Sequence, residues 1–185
     1  MGKRLLSTSQ DSIFVANQLV NITESSLGYI AGFIDGEGTI SIIKTGNSYK
    51  SIIAVYNTKI EALNYIKEKI GIGNVVPNYK TEKNNKHNMV FAYLLHNDYV
   101  TYHLLNRLLP FLIVKKLQAE LVIELCKRKE YYRYLIEKEF ILHEIIGKDK
   151  STIDKLNKEA LSEFQRFKEK INNLNKRGKW INNNY

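Results

Sequence analysis

The sequence lacks the residues that would build a disulfide-linked or zinc-bound scaffold. Only one of its 185 residues is a cysteine, Cys126. A single cysteine cannot form a disulfide within the chain, which favours an intracellular protein, and no histidine–cysteine spacing matches a zinc site. Cys126 lies in the apolar run 121–126, so we expect it to be a small buried side chain.

Long apolar runs are also missing. No segment approaches the roughly 20 apolar residues that a membrane-spanning helix needs. The chain begins with charged residues, and Asn17 and Gln18 interrupt the weakly apolar stretch 13–16, so the start does not resemble a secretory signal. Leu6 does not fit the pattern for N-myristoylation. These absences predict an intracellular protein, in the cytoplasm or nucleoid or in an organelle, that is not secreted and has no membrane partner.

Several common catalytic sets are absent as well. The sequence offers no Ser-His-Asp set and no glycine-rich loop for phosphate binding. His87, His96, His103 and His143 lack metal-ligand spacing, so surface or core positions are expected for them. We therefore expect no small-molecule substrate.

Acidic residues are too few to balance the basic ones. The chain has 28 Lys and Arg residues against 19 Asp and Glu, which gives a formal net charge of +9 and a pI of about 9.4. A basic excess of this size indicates a polyanionic partner, most commonly nucleic acid. A lysine-rich solvated surface is the alternative interpretation.

Apolar periodicity and turn residues predict an α+β fold, in which helices cover one face of a four-stranded sheet. We expect residues 1–24 to be an N-terminal extension, 25–180 a single domain and 181–185 a tail. The predicted elements are a helix from Ser25 or Ser26 to about Asp35, strands 39–45 and 48–56 joined by a turn at Gly46-Asn47, helix 59–70, strands 73–80 and 88–95, helix 98–109, helix 116–129 followed by an amphipathic run at 131–146, and a last helix capped by Ser151.

The first predicted helix carries two costly features. Gly28, Gly32 and Gly36 recur on one helix face, and a glycine inside a helix costs about 1 kcal/mol relative to alanine. Asp35 and Glu37 then place negative charge at the helix C-terminus, where the macrodipole is also negative. A closely packed partner helix would account for the glycines, and a bound cation would account for the acids.

Residues 30–38, with the sequence Ile-Ala-Gly-Phe-Ile-Asp-Gly-Glu-Gly, resemble the LAGLIDADG motif of homing endonucleases at every position. The segments 70–75, 109–119 and 171–178 also resemble parts of that family, so the resemblance covers roughly residues 26–180. It implies an αββαββα fold whose four-stranded antiparallel sheet forms a saddle over DNA. The motif occurs once, which implies a homodimer with the motif helices on the two-fold axis.

The resemblance also implies a mechanism. Glu37 and the backbone carbonyl of Gly36 are expected to bind Mg²⁺, for which Mn²⁺ or Ca²⁺ could substitute, near the scissile phosphates. The family more often has aspartate at the position of Glu37. Lys115 matches the family's basic residue near the scissile phosphate, and Asn57 falls near a water-ordering position. Asp35 is expected to brace the helix pair rather than to bind metal.

Two further sets of residues follow from the resemblance. The dimer interface is expected at Gly28, Ala31, Gly32, Asp35 and Gly36. Strand residues that read bases and basic residues that hold phosphates are expected at Ser41, Ile43, Thr45, Asn47, Tyr49, Lys50, Asn74, Asn78, Lys80, His87, Asn88, Lys176, Arg177 and Lys179. The second strand is apolar on both faces, so its outward face is left open.

Three functions are compatible with these observations. The first is a homodimeric, divalent-metal-dependent endonuclease that cuts double-stranded DNA at a long, partly palindromic intron-insertion site. The second is an RNA-splicing maturase or a non-catalytic DNA-binding protein of the same fold. The third is a structural protein whose motif is coincidental. Glu37 and Lys115 together favour the endonuclease.

Overall fold

A four-stranded antiparallel sheet with helices packed on one face forms the framework of the computed structural model, which describes residues 19–78, 89–147 and 149–176. The helices within these residues are α1 (Glu24–Glu37), α2 (Ile60–Ile70), α3 (Asp98–Leu108), α4 (Lys116–Ile146) and α5 (Ser151–Asn175). The strands are β1 (Gly38–Thr45), β2 (Ser48–Asn57), β3 (Asn74–Pro77) and β4 (Phe91–Leu95). The predicted α+β fold is confirmed. No helix of the described residues is long and apolar enough to cross a membrane.

The sheet has the strand order β1-β2-β4-β3. β1 and β2 form a hairpin that pairs from Gly38 with Val55 to Thr45 with Ser48, and Gly46 adopts a positive φ of 58° in its turn. Side chains alternate between the two faces of the sheet. Odd-numbered residues of β2 and even-numbered residues of β1 face the helices. The even-numbered residues of β2 therefore point outward, which decides the face that the sequence left open.

The core lies between the sheet and the helices. α1 contributes Leu27, Ile30 and Ile34, which are all buried. Leu19 and Ile22 are buried in the same core, although they belong to the N-terminal extension predicted from the sequence. The Arg107 side chain also donates a hydrogen bond of 2.8 Å to the carbonyl of Ile22. The packed part of the chain therefore includes these residues before α1.

Two helix caps differ from the prediction. The hydroxyl of Thr23, rather than Ser25 or Ser26, accepts the backbone N–H of Ser26 at 3.3 Å, because Thr23 has the extended backbone of an N-cap. At α5, Ser151 is the first helical residue and Lys150 is the N-cap. There the predicted cap is wrong, because the carboxylate of Asp149 accepts the side-chain and backbone donors of Ser151.

Residues 116–146 form one helix of 31 residues, although the sequence predicts a helix at 116–129 followed by an amphipathic run at 131–146. No glycine or proline interrupts the segment, and α5 packs beside it. Arg128 on α4 donates to both carboxylate oxygens of Glu163 on α5, at 2.7 and 2.9 Å. Tyr132 donates to the same carboxylate at 2.9 Å. These hydrogen bonds lie on both sides of residue 130, where the predicted division falls, and hold the two helices together across it.

Gly38 joins α1 to β1 without a loop, and Gly38→Ala is expected to destabilise the protein by about 3 kcal/mol. A Cβ at this position would lie 2.7 Å from both the Cα and the carbonyl oxygen of Ile34, which are backbone atoms of a buried turn and cannot move aside. Urea denaturation would measure the loss. Gly28→Ala is the matched control, because its Cβ would meet only the Phe111 ring, at 3.9 Å. Equal urea midpoints for Gly38→Ala and the wild type would contradict this explanation.

Candidate active site

Asp35 connects the end of α1 to the start of α4. Its carboxylate accepts three backbone N–H groups, from Ile113 at 2.7 Å, Val114 at 3.1 Å and Lys115 at 2.9 Å. Two of these N–H groups directly precede α4, where the positive end of the helix dipole favours a carboxylate. The side chain of Asp35 therefore fixes the loop that carries Lys115.

The protonation of Asp35 reflects this anchoring. Partial burial raises the pKa of its carboxyl, but hydrogen bonds from the N–H groups of Ile113, Lys115 and Val114, together with the charge of Lys115, outweigh burial and hold the pKa below its usual value. Asp35 is thus ionised at neutral pH with its oxygens already hydrogen-bonded. Such a carboxylate suits a brace better than a metal ligand.

Lys115 turns back over the end of α1. Its Nζ donates to the backbone carbonyl of Asp35 at 2.5 Å, so a cation occupies the negative end of the α1 dipole. Partial burial lowers the pKa of Lys115, and the charges of Asp35 and Glu37 offset part of that effect. The structure thus brings together Lys115 and Glu37, two of the three predicted catalytic residues.

Glu37 is the last residue of α1 and is exposed. The carbonyl of Gly36 belongs to the same final turn, where helix carbonyls have no partner within the helix. Among the described residues, no group of three or more His, Cys, Asp or Glu side chains could hold a metal ion. One subunit therefore supplies few oxygen ligands at this point.

Asn57 ends β2 on the side of the hairpin where β1 begins, two residues beyond the Gly38–Val55 pair. Its side-chain oxygen accepts the backbone N–H of Lys59 at 2.8 Å, in the turn that leads to α2. This hydrogen bond gives Asn57 a local structural role. Its part in catalysis stays a prediction.

Gly32 and Gly36 of α1 face outward, whereas Gly28 is half-buried and a Cβ there would meet the Phe111 ring at 3.9 Å. A Cβ on Gly32 or Gly36 would meet nothing within 4 Å, and both residues are exposed. Ala31 is 0% exposed inside the subunit, so its predicted place in a dimer interface is corrected: it faces the core. Large apolar side chains that were not predicted from the sequence to be functional are exposed on α1, in the loop before α4 and in the first turn of α4: Tyr29, Ile113, Val114 and Leu117. The apolar run 111–114 does not follow a helical periodicity, and it was the sequence signal that could have marked Ile113 and Val114 as exposed apolar residues.

The outer face of the sheet carries most of the described residues that were predicted to contact DNA. Ser41, Ile43, Thr45, Lys50 and Asn74 share this face by register, and Asn47 lies in the hairpin turn. Asn78 follows β3 and its N–H donates to the carbonyl of Val90 at 2.7 Å.

Tyr49 is a correction. It lies on the helix-facing side of β2 and is 3% exposed, because the odd-numbered side chains of this strand point into the core. Its hydroxyl donates to Gln165 on α5 and its ring contacts Phe164. Tyr49 therefore cannot read bases from the outer face.

The basic C-terminal segment and the loop between β3 and β4 are only partly described. Lys176 is exposed, and its Nζ donates to the side-chain oxygen of Asn173 at 3.0 Å. The predicted contacts that lie outside the described residues are Lys80, His87, Asn88, Arg177 and Lys179.

Comparison with known proteins adds sequence and fold relationships. A family model described as LAGLIDADG endonuclease matches residues 30–113, the segment from α1 to the Asp35-bound loop. No curated protein matches the sequence significantly.

Among solved structures, the homing endonuclease I-CvuI, in complex with an uncleaved DNA target in the presence of Mg, superposes with a TM-score of 0.58 at 20% identity, over 84% of this chain and 85% of that one. The archaeal intron-encoded homing endonuclease I-Vdi141I, complexed with DNA, gives 0.50 at 22% identity, over 82% and 97%. I-GzeII, also in complex with its DNA target, gives 0.52 at 14% identity, over 77% of this chain but 43% of that one. These likenesses establish a shared fold, and the LAGLIDADG endonuclease model independently matches the segment that contains the motif, slightly less than half of the chain.

Proposed function

We propose that this chain is a homodimeric, divalent-metal-dependent homing endonuclease that cuts both strands of a long, partly palindromic intron-insertion site. The observation that carries the proposal is the convergence of Glu37 and Lys115 at the exposed end of α1. The same helix presents a glycine face with no cover inside the subunit. A catalytic acid at the edge of an uncovered helix is what a site completed by a second copy requires.

The surface around α1 supports a homodimer. Ile113 is 87% exposed and Val114 68%, and their backbone N–H groups donate to Asp35, so exposed apolar side chains lie beside the C-terminal end of α1. Leu117, in the first turn of α4, is 60% exposed. Two copies packed through α1 would bury this surface in an isologous contact and bring the two Glu37 residues toward the same axis. The chain corresponds to 85% of I-CvuI but only 43% of I-GzeII, as expected if a longer chain carries in one polypeptide what two short chains assemble.

The oxygen donors fit an open magnesium site. Mg²⁺ is usually bound through one or two carboxylates plus phosphate oxygens and water, and Glu37 with the Gly36 carbonyl supplies such a partial set. When bound, the ion would polarise the phosphate, favour deprotonation of water and stabilise the leaving oxygen. Lys115, fixed by its bond to the Asp35 carbonyl, adds a positive charge beside Glu37 for the phosphate that undergoes hydrolysis.

The outer face of the sheet is the surface proposed for DNA. A two-stranded β-ribbon fits the major groove, and the β1–β2 hairpin carries Asn47 and Lys50 at its exposed end. The net charge of +9 supplies the sequence-independent attraction to phosphates. Each subunit would thus read one half of the target.

The decisive experiment incubates the full-length protein with a pool of long random duplexes in Mg²⁺ and sequences the cleaved ends. We expect cutting of both strands at one long, partly palindromic site, and no cutting when a chelator removes the metal. Tight DNA binding with no cutting under any divalent metal would reject the nuclease and favour a maturase or a DNA-binding regulator of the same fold.

A further inference from the structure

The middle of the outer sheet face is apolar. Ile52 and Tyr56 on β2, Leu94 on β4 and Val76 on β3 all point to this face by register. We call these four residues the apolar outer patch. The small side chains of Ala54 and Ala92 lie between them on the same face. None of these six residues belongs to the hydrophobic core that the helices cover, which independently places them on the other side of the sheet.

The patch is open enough to touch a partner. Tyr56 and Val76 are each 37% exposed, and Ile52 and Leu94 are half-buried. Four apolar side chains on a solvent-facing sheet surface cost free energy unless a ligand covers them, since each exposed methylene forgoes about 0.8 kcal/mol. The proposed function places the major groove of DNA against this surface.

Polar side chains surround the patch but do not enter it. Asn74 on β3 pairs with Leu94 on β4, and Ser41 on β1 pairs with Ile52 on β2. Lys50 and Asn47 lie farther along the hairpin toward its tip. Hydrogen-bond donors and acceptors are therefore available at the rim and the tip of this face, whereas the side chains of the patch present carbon groups apart from the hydroxyl of Tyr56.

Resting on the proposed function, we infer that the apolar outer patch reads the 5-methyl groups of thymine, so that each half-site carries A·T pairs where the patch meets the major groove. The thymine methyl is the apolar group that base pairs present in that groove. Packing Ile52 or Leu94 against a G·C pair would instead cover the cytosine amino group or the guanine oxygen without a hydrogen-bond partner. The patch thus favours A·T pairs because it buries thymine methyl groups. It disfavours G·C pairs because it leaves their polar groups without hydrogen-bond partners.

The test uses the selected target duplex and compares thymine with deoxyuridine, which pairs identically but lacks the methyl group. Replacing thymines at the A·T pairs of one half-site should weaken binding by the wild-type protein about fourfold for each methyl that the patch buries. Binding is measured in Ca²⁺ at fixed salt. The same replacement in flanking DNA outside the site should change nothing.

Protein variants assign the effect to the patch. Val76→Ser removes both methyl groups of the side chain, and the exposed position should tolerate it, so it is expected to remove the deoxyuridine penalty at the base pair that it faces. Val20→Ser, the same change at an exposed position before α1 and outside the sheet, is the matched control and should keep the full penalty.

The outcomes separate this inference from the proposed function. A target that is cut but rich in G·C at its readout positions, or that binds equally well with deoxyuridine, overturns the inference and leaves the nuclease standing. A protein that binds no duplex at all overturns the proposed function, and the inference with it.

Discussion

The Glu37→Gln variant is expected to bind the target duplex as the wild type does and to cut it about a thousandfold more slowly. Glutamine keeps the shape of the side chain but loses the charge that the proposed metal site needs. Glu37 is exposed and ends its helix, so the fold should not depend on it. Single-turnover cleavage in Mg²⁺ measures the rate, and the urea midpoint should stay at the wild-type value.

Asp35→Asn is the companion variant, and we expect it to lower the stability of the folded protein. Asparagine leaves only one side-chain oxygen for the N–H groups of Ile113, Val114 and Lys115, and it places an amide donor where an acceptor is needed. We expect a loss of about 2 kcal/mol in the free energy of unfolding. Cleavage should fall as well, because Lys115 loses the brace that positions it.

The acid dependence of the wild type should report the same anchor. The pKa of Asp35 is lowered in the folded protein, so its contribution to stability is present above the unfolded value, near 3.8, and is lost as the pH falls through the lowered folded value. Asp35→Asn should therefore flatten the stability curve below about pH 4. If Glu37→Gln lowered stability while Asp35→Asn left it unchanged, the two roles would have been assigned the wrong way round.

The order of elements and the bracing role of Asp35 were largely accessible from sequence, whereas the metal-binding role of Glu37 stays a prediction. Asp35 and Glu37 lie two residues apart and both carry a carboxylate. Only the resemblance to the motif assigned a bracing role to Asp35 and metal binding to Glu37. What no local pattern could reveal was the partner of the brace. The Asp35 carboxylate accepts N–H groups about 80 residues away along the chain, and that pairing depends on how α1 packs against α3 and the sheet.

The outward face of β2 could not be predicted from the sequence for a similar reason. The strand is apolar on both sides, so alternation gave no preference, and Tyr49 was placed with the DNA contacts. The register with β1 settles it, because Tyr49 pairs with Lys44 on the helix-facing side, where α5 supplies Gln165 as a partner. The apolar residues that remain on the other side became the outer patch.

The Gly32→Leu variant is expected to leave each subunit folded and to prevent it from pairing. A Cβ at Gly32 meets nothing within 4 Å, so a leucine has room in the isolated subunit and should improve helix propensity by nearly 1 kcal/mol. Between two closely packed α1 helices the same side chain would force the backbones apart. We expect the dimer dissociation constant to rise about a hundredfold or more.

Sedimentation across a range of protein concentrations measures the dissociation constant, and circular dichroism confirms that the subunit is folded. Glu159→Leu on α5 is the matched control, since it adds the same side chain at an exposed helical position away from α1. It should leave the dimer intact. A Gly32→Leu protein that sediments as the wild-type dimer would refute packing through α1. The two Glu37 residues would then lie apart, and one protein assembly would have no means of cutting both strands at one site.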